Sequence, residues 1–216
     1  MRELDKEVRQ ELRSLSAPVA ERVGAQLAAA ARLIDEDPAA ALLHARAARR
    51  MGGRLPVVRE AVGIAAYLSG EWAEALTELR AARRMNGDAA VLPMIADCER
   101  ALGRPERALE VSRDPAVAAL PTSTKIEMMI VESGARKDLG QLDAALLALQ
   151  GPELDATGVE DWTHRLWYAY ADTLERAGRT EEALRWFGSV RDIDGDETTD
   201  ADQRYRDLAG STPPKQ

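Results

Sequence analysis

The chain has 216 residues, of which 45% are hydrophobic and 31% are charged, and this balance indicates a folded globular protein rather than a disordered one. The first eight residues mix charges without an apolar core, and no run of about 18 uncharged apolar residues follows. Neither a signal peptide nor a membrane span is therefore expected. The only cysteine, Cys98, excludes an intramolecular disulfide, and a cytoplasmic location is the simplest expectation.

The net charge of −8 is distributed unevenly along the chain. Residues 1–113 carry 18 basic and 17 acidic side chains, whereas residues 114–216 carry 11 and 20. An acidic chain is a poor general binder of nucleic acid, because phosphate binding needs accumulated positive potential. Between residues 38 and 86, however, eight arginines face only four acids, so the sequence leaves room for a local basic surface.

Helical patterns follow one another along the whole chain, and no alternating strand pattern bounded by turns interrupts them. From Pro56, which suits the first turn of a helix, apolar residues recur every three or four positions as far as Leu68. The final residues, 211–216, are predicted to be disordered. Helices are predicted near residues 2–14, 19–34, 39–51, 56–69, 72–85, 89–102, 105–113, 122–139, 142–150, 158–177, 180–191 and 199–209.

The sequence also contains an internal repeat. The hexapeptide Arg-Ala-Ala-Arg-Arg-Met begins at Arg46 and returns 34 residues later, at Arg80. A period of this length is typical of arrays of helix–turn–helix units. In a second repeated motif, Gly-x-x-x-x-Ala-Leu, the glycine can end one helix in a left-handed conformation and the alanine lets the next helix approach closely. This motif begins at Gly70, Gly103, Gly140 and Gly178.

These motifs resemble the tetratricopeptide repeat. The unit that begins at His164 matches the family pattern best, and its matching residues are Trp167, Ala171, Gly178, Ala183 and Phe187. The resemblance implies an all-α, right-handed superhelix, or solenoid, that forms a single domain over residues 1–210. It implies five repeats, near residues 19–53, 56–88, 89–121, 122–157 and 158–197, followed by a capping helix at 199–209. As a whole, the chain is also similar to small tetratricopeptide proteins of actinobacteria, which implies no particular activity.

In tetratricopeptide proteins, the first helix of each repeat lines a concave groove that binds a peptide or a partner protein. The groove of this chain lacks the Lys and Asn pairs with which co-chaperones of the family clamp a C-terminal carboxylate, so that mode of binding is not expected. The resemblance places these residues at groove positions: Val57, Glu60, Ile64, Tyr67, Asp97, Arg100, Ile130, Lys137, Tyr168, Asp172 and Glu175.

The repeated arginines should lie side by side on successive outer helices, and we call them the arginine ladder: Arg46, Arg49, Arg50, Arg80, Arg83 and Arg84. In the functional interpretation they bind phosphate, RNA or an acidic partner. In the structural interpretation, which we favour, they pair with acids such as Glu71, Glu74 and Glu78 while their stems cover apolar surface.

Six of the nine aromatic residues lie between residues 162 and 187. The family pattern places Trp167, Tyr170 and Phe187 in the core of a repeat. Two others, Trp162 and Trp186, fall outside that pattern, as does the groove residue Tyr168. They either anchor a partner, as exposed aromatic residues do at binding hot spots, or pack against the helix near 199–209. The sequence does not decide between these alternatives.

No catalytic, cofactor-binding or metal-binding motif is found. The acidic run from Asp192 lacks a calcium-loop glutamate at its twelfth position, which is Gln203, and neither histidine stands at a zinc-site spacing from Cys98. Cys98 is expected to pack between helices. The sequence thus predicts a non-catalytic interaction scaffold that binds a protein or peptide through its groove or its aromatic surface, without a cofactor or metal. Binding of RNA or ribonucleoprotein through the arginine ladder is the alternative.

Overall fold

The chain is all-helical throughout the part that its computed structural model describes, which comprises residues 4–155, 158–195 and 198–211. The all-α prediction is therefore confirmed for these residues. The predicted disordered tail lies outside them, except for Ser211 at the end of the last helix. The α-helices are α1 (Lys6–Leu12), α2 (Ala17–Leu33), α3 (Pro38–Gly52), α4 (Pro56–Leu68), α5 (Trp72–Asn86), α6 (Leu92–Ala101), α7 (Pro105–Ser112), α8 (Thr122–Asp138), α9 (Leu142–Leu149), α10 (Thr163–Arg176), α11 (Thr180–Ile193) and α12 (Ala201–Ser211).

Helices α1, α6 and α10 begin several residues later than the sequence pattern predicts, and at the start of α6 and of α10 a side chain accepts a backbone hydrogen bond that holds a turn there. Before α6, the Asp88 carboxylate accepts a hydrogen bond from the N–H of Ala90 at 2.9 Å. Before α10, the N–H of Glu160 donates to the Thr163 hydroxyl at 2.8 Å. A 3-10 helix at Pro115–Ala119 is the one helical element between α7 and α8, and the sequence pattern does not predict it.

The glycine of the repeated motif ends a helix in each of its four copies. Gly70 follows α4 with a φ of 75°, a left-handed conformation that residues with a Cβ rarely adopt. The N–H of the next residue, Glu71, reaches back to the carbonyl oxygen of Ala66 at 2.8 Å and so satisfies one of the free carbonyls at the helix end. The other motif glycines, Gly103, Gly140 and Gly178, have φ values between 72° and 74°.

The helices form two compact units, residues 1–111 and 112–216. In the first unit, α2 packs on α3, α4 packs on both α3 and α5, and α5 packs on α6. In the second unit, α8 packs on α9, α10 packs on α8, α9 and α11, and α11 packs on α12. Consecutive helices are therefore neighbours in space from α2 to α6 and from α8 to α12.

Helices α4 and α5 approach each other closely at Gly63. A Cβ on Gly63 would lie 2.6 Å from Leu79 of α5, so only glycine fits there, and the motif alanine Ala75 is fully buried beside it. Val58 and Val62 are also fully buried. Because α4 buries these residues, the positions Val57 and Ile64 are left on a different, half-buried face of the helix.

Candidate partner-binding site

An apolar cleft of about 310 Å³ lies in the first unit. Residues from α2, α4 and the segment around α1 form its walls, and Asp5 is the only charged residue among them. Its volume is at the lower end of the range for ligand pockets, roughly 300–1,000 Å³. Val57 and Ile64 are predicted groove positions, so the structure places part of the predicted groove in this cleft. The lining residues are Leu4, Asp5, Val8, Leu27, Ala30, Ala31, Ile34, Val57, Ala61 and Ile64.

Glu60 does not line the cleft itself, but it lies three residues after Val57 and four before Ile64, so it shares the helix face of these two lining residues. Its side chain is half-buried. Burial raises the pKa of Glu60 above its usual value, and the carboxylates of Asp88 and Glu11 raise it further. No hydrogen bond or ion pair reaches this carboxylate from the described residues. Within residues 4–211 as far as they are described, the negative charge of Glu60 thus has no cationic partner.

Glu11 connects α1 to the start of α4. Its carboxylate accepts a hydrogen bond from the N–H of Val57 at 3.2 Å. Val57 lies in the first turn of α4, where backbone N–H groups have no partner within the helix and the helix dipole favours a negative charge. The contact fixes α1 beside α4 and completes one wall of the cleft.

Three further predicted groove residues meet at the other end of α4. The hydroxyl of Tyr67 donates to Asp97 at 2.8 Å, and the guanidinium of Arg100 donates to the other oxygen of the same carboxylate, also at 2.8 Å. The ring of Tyr67 packs edge-on against Trp72, with 5.4 Å between ring centres. The Asp97 charge is thus compensated within the protein, unlike that of Glu60.

In the second unit, predicted groove residues of neighbouring helices also pair. The ammonium of Lys137 on α8 donates to Asp172 on α10 at 2.6 Å. Burial alone would raise the pKa of Asp172, but Lys137, together with Arg204 and Arg176, outweighs burial and lowers it. Ile130 is half-buried and packs against the core of the unit. These residues stabilise the contact between α8 and α10.

Helix α12 covers the remaining predicted groove residues of α10. Arg204 donates to Glu175 at 3.0 Å and to Asp172 at 3.2 Å, and its guanidinium lies 4.9 Å from the centre of the Phe187 ring. The Tyr168 hydroxyl donates to Asp200 at 2.6 Å, and burial, aided by that carboxylate, raises the pKa of Tyr168 to about 12. The chain therefore occupies this part of its own predicted groove.

The arginine ladder is largely engaged with carboxylates of the same unit. Arg46 donates to Glu74 from Nε at 3.2 Å and from Nη2 at 2.5 Å, and Arg49 lies 2.7 Å from Glu78. Arg80 donates to Glu99 at 2.6 Å. Arg83 is half-buried and has polar contacts, whereas Arg50 and Arg84 are exposed. Arg46, Arg49 and Arg80 thus compensate buried or half-buried acids, as the structural interpretation expects.

Two of these acids are buried, and each is held between two arginines. Glu78 is 2% exposed and contacts Arg59 at 3.0 Å in addition to Arg49. Glu99 is fully buried and contacts Arg104 at 3.3 Å in addition to Arg80. A buried carboxylate is strongly disfavoured without a cation, so both clusters depend on their arginines.

The aromatic residues of the second unit form one packed group. Trp186 is half-buried, with its ring edge-on to Tyr170 at 5.2 Å and to Trp167 at 5.7 Å. Trp162 is also half-buried and packs against the same core. Both tryptophans therefore contribute to packing, and each keeps part of its surface accessible; their role in binding a partner stays a prediction.

Cys98 is fully buried in the first unit. Burial, with the nearby Asp97 and Glu99, raises the pKa of its thiol to about 12. His44 bonds to Gln26 through Nδ1 at 2.7 Å. Among the described residues, no three His, Cys, Asp or Glu side chains come together in a way that could hold a metal ion.

Sequence reasoning did not identify two parts of these sites. The first is the wall that α1 contributes, although Leu4, Val8 and Leu12 are spaced as on one face of a helix. The second is Arg204, whose position in α12 gave no sign that it would reach Asp172. The apolar spacing in the sequence could have indicated the first. The second depends on how α12 packs against α10, which the sequence pattern does not show.

No model of a known protein family matches the chain, and no curated protein matches it in sequence. The helices in the described part of the chain are all too short or too polar to cross a membrane.

Proposed function

We propose that the protein is a cytoplasmic, non-catalytic interaction module built from tetratricopeptide-like helical hairpins, and that it binds a peptide or a helix of a partner protein in the cleft of the first unit. The observation that carries this proposal is the cleft itself, where the walls are almost entirely apolar and accessible to solvent. Surfaces of this kind occur where proteins bind partners, because exposed apolar groups gain free energy when a partner covers them.

Two further observations favour the cleft over the other predicted surfaces. In the second unit, α12 already covers Tyr168, Asp172 and Glu175. On the outer helices, Arg46 and Arg80 are held by carboxylates, which weakens the alternative that the arginine ladder binds RNA. In the described part of the chain, nothing covers the apolar walls of the cleft in this way.

The proposal is tested by affinity capture from an actinobacterial lysate with three versions of the full chain. Ala31 lines the cleft and is exposed, so Ala31→Trp fills the cleft without entering the core. Ala25 is exposed on another face of the same helix, so Ala25→Trp is the matched control. We expect at least one protein that the native chain and Ala25→Trp retain, that Ala31→Trp loses, and that nuclease treatment leaves bound.

Two results would contradict the proposal. If every captured protein is lost on nuclease treatment, the arginine ladder is the binding surface and the RNA alternative replaces ours. If Ala31→Trp retains every captured protein, or if nothing is recovered beyond an unrelated control chain, the cleft is not a binding site.

A further inference from the structure

We propose that the occupant of the cleft is an amphipathic helix that inserts apolar side chains between α1, α2 and α4 and places a lysine or arginine beside Glu60. This inference rests on the proposed function and specifies the chemistry of the partner. It follows from the shape of the cleft, from the backbone groups around it and from the charges at its edge.

The walls favour a helix over an extended peptide. An extended peptide needs partners for its own backbone N–H and C=O groups, and sheet-edge binding provides them. Most of the cleft wall comes from α1, α2 and α4, the N–H of Val57 at the start of α4 is already bonded to Glu11, and the described residues contain no strand that could pair with an extended peptide. A helical partner satisfies its own backbone and therefore buries only side chains.

The volume of the cleft limits what can enter. At about 310 Å³, it accommodates a few side chains but not the body of a helix, which is about 10–12 Å wide. The partner helix therefore lies across the opening and inserts residues from one face, at spacings of three, four and seven, as helices bound in grooves do.

The edge of the cleft favours a cation at one position of that helix. Three other acidic groove residues have a cation of their own: Asp97 has Arg100, Asp172 has Lys137 and Glu175 has Arg204. Glu60 has none among the described residues, and the charged groups that raise its pKa are the carboxylates of Asp88 and Glu11.

The basic residues of the nearby α1 segment do not supply this cation. Lys6, Arg9 and Arg13 line a separate surface depression together with Gln10. Their spacing places them on the face of α1 opposite Leu4 and Val8, which line the cleft.

A lysine or arginine from the partner suits both parts of the site. Its aliphatic stem can pack on the apolar rim while its charged end reaches the carboxylate. Because the raised pKa of Glu60 reflects a disfavoured negative charge, a cation beside it recovers part of the lost solvation.

The test uses a displayed library of 16-residue helical peptides, selected on the full chain and re-screened on Ala31→Trp and Ala25→Trp. Peptides that bind the native chain and Ala25→Trp but not Ala31→Trp are cleft-dependent. We expect their consensus to combine two or three apolar residues at helical spacing with one lysine or arginine at a fixed position.

Two charge variants then examine Glu60. Glu60→Gln should weaken cleft-dependent peptides about fivefold to tenfold, which corresponds to one partly exposed charge-assisted hydrogen bond. Glu21→Gln, at an exposed acid of α2, should leave their affinity unchanged. Glu60→Lys should reverse the preference, so that a peptide with glutamate in place of its lysine binds this variant more tightly than the native chain. Far-UV circular dichroism confirms that the variants fold.

The outcomes separate the inference from the proposed function. Cleft-dependent peptides that lack a basic residue, or whose affinity is unchanged in Glu60→Gln, would overturn the inference and leave the proposed function standing. A selection that yields no cleft-dependent peptide would overturn the inference, whereas the proposed function is judged by the capture experiment.

Discussion

The buried acid Glu99 provides a quantitative test of whether the arginine ladder is structural. Glu99 is fully buried, and its carboxylate contacts Arg80 at 2.6 Å and Arg104 at 3.3 Å. In Arg80→Met, the apolar stem is largely kept but the closer of the two cations is lost. The carboxylate then stays buried with one distant partner.

The expected loss of stability follows from these contacts. Removing one partner of a buried pair costs about 3–5 kcal/mol when nothing replaces it. Here Arg104 remains and the Arg80 side chain is 41% exposed, so we expect a smaller loss, about 2 kcal/mol. Arg84→Met is the matched control, because Arg84 lies one helical turn further along α5 and is exposed. Its effect should stay within about 0.5 kcal/mol, as at other exposed positions.

Urea unfolding followed by circular dichroism measures the difference. With a denaturant slope of about 2 kcal/mol per molar urea, Arg80→Met should lower the midpoint of the first unit's transition by about 1 M, and Arg84→Met by less than about 0.25 M. Equal midpoints for the two variants would refute the reasoning, because they would show that Glu99 does not need Arg80. The ladder would then be available for binding.

Three further predictions concern the first unit. Because the folded-state pKa of Glu60 is raised, its ionised carboxylate opposes folding above the unfolded-state pKa. Glu60→Gln should therefore stabilise the protein at pH 7, by less than about 1 kcal/mol. In thermal unfolding, this stabilisation should disappear as the pH falls toward 4, where the native carboxylate becomes protonated. Gly63→Ala should destabilise by about 1–3 kcal/mol in urea, because its Cβ would meet Leu79 at 2.6 Å, whereas Gly210→Ala, which meets nothing within 4 Å, should not destabilise. The Cys98 thiol, with its pKa raised to about 12, should react with a disulfide reagent only after unfolding, and rapid reaction of the native protein would contradict its burial.

The helices could be predicted from the sequence because their signals are local. Gly70 ends α4 and Pro56 begins it, and both act through the backbone of a few neighbouring residues. The late starts of α6 and α10 coincide with single backbone hydrogen bonds to the Asp88 carboxylate and the Thr163 hydroxyl, which propensity and spacing do not reveal.

The site could be predicted only in part, since its walls come from segments far apart in the chain. Val57 and Ile64 were expected in a groove from the resemblance, and both line the cleft. Leu4 and Val8 were expected only to form a helix, because nothing in the local pattern says which helix their apolar face will meet. The raised pKa of Glu60 depends on the same packing, since burial, Asp88 in the turn before α6 and Glu11 on α1 all raise it.

The arginine ladder shows why identical repeats need not make identical contacts. Arg46 and Arg80 occupy the same place in the hexapeptide, yet Arg46 binds Glu74 and Arg80 binds Glu99. The residue 34 positions after Glu74 is Ala108, so Arg80 has no carboxylate at the corresponding position and uses one from the following helix instead. A repeated sequence thus fixes where the arginines lie but not which acids they meet. The acids that vary between the repeats therefore determine which arginine meets which carboxylate.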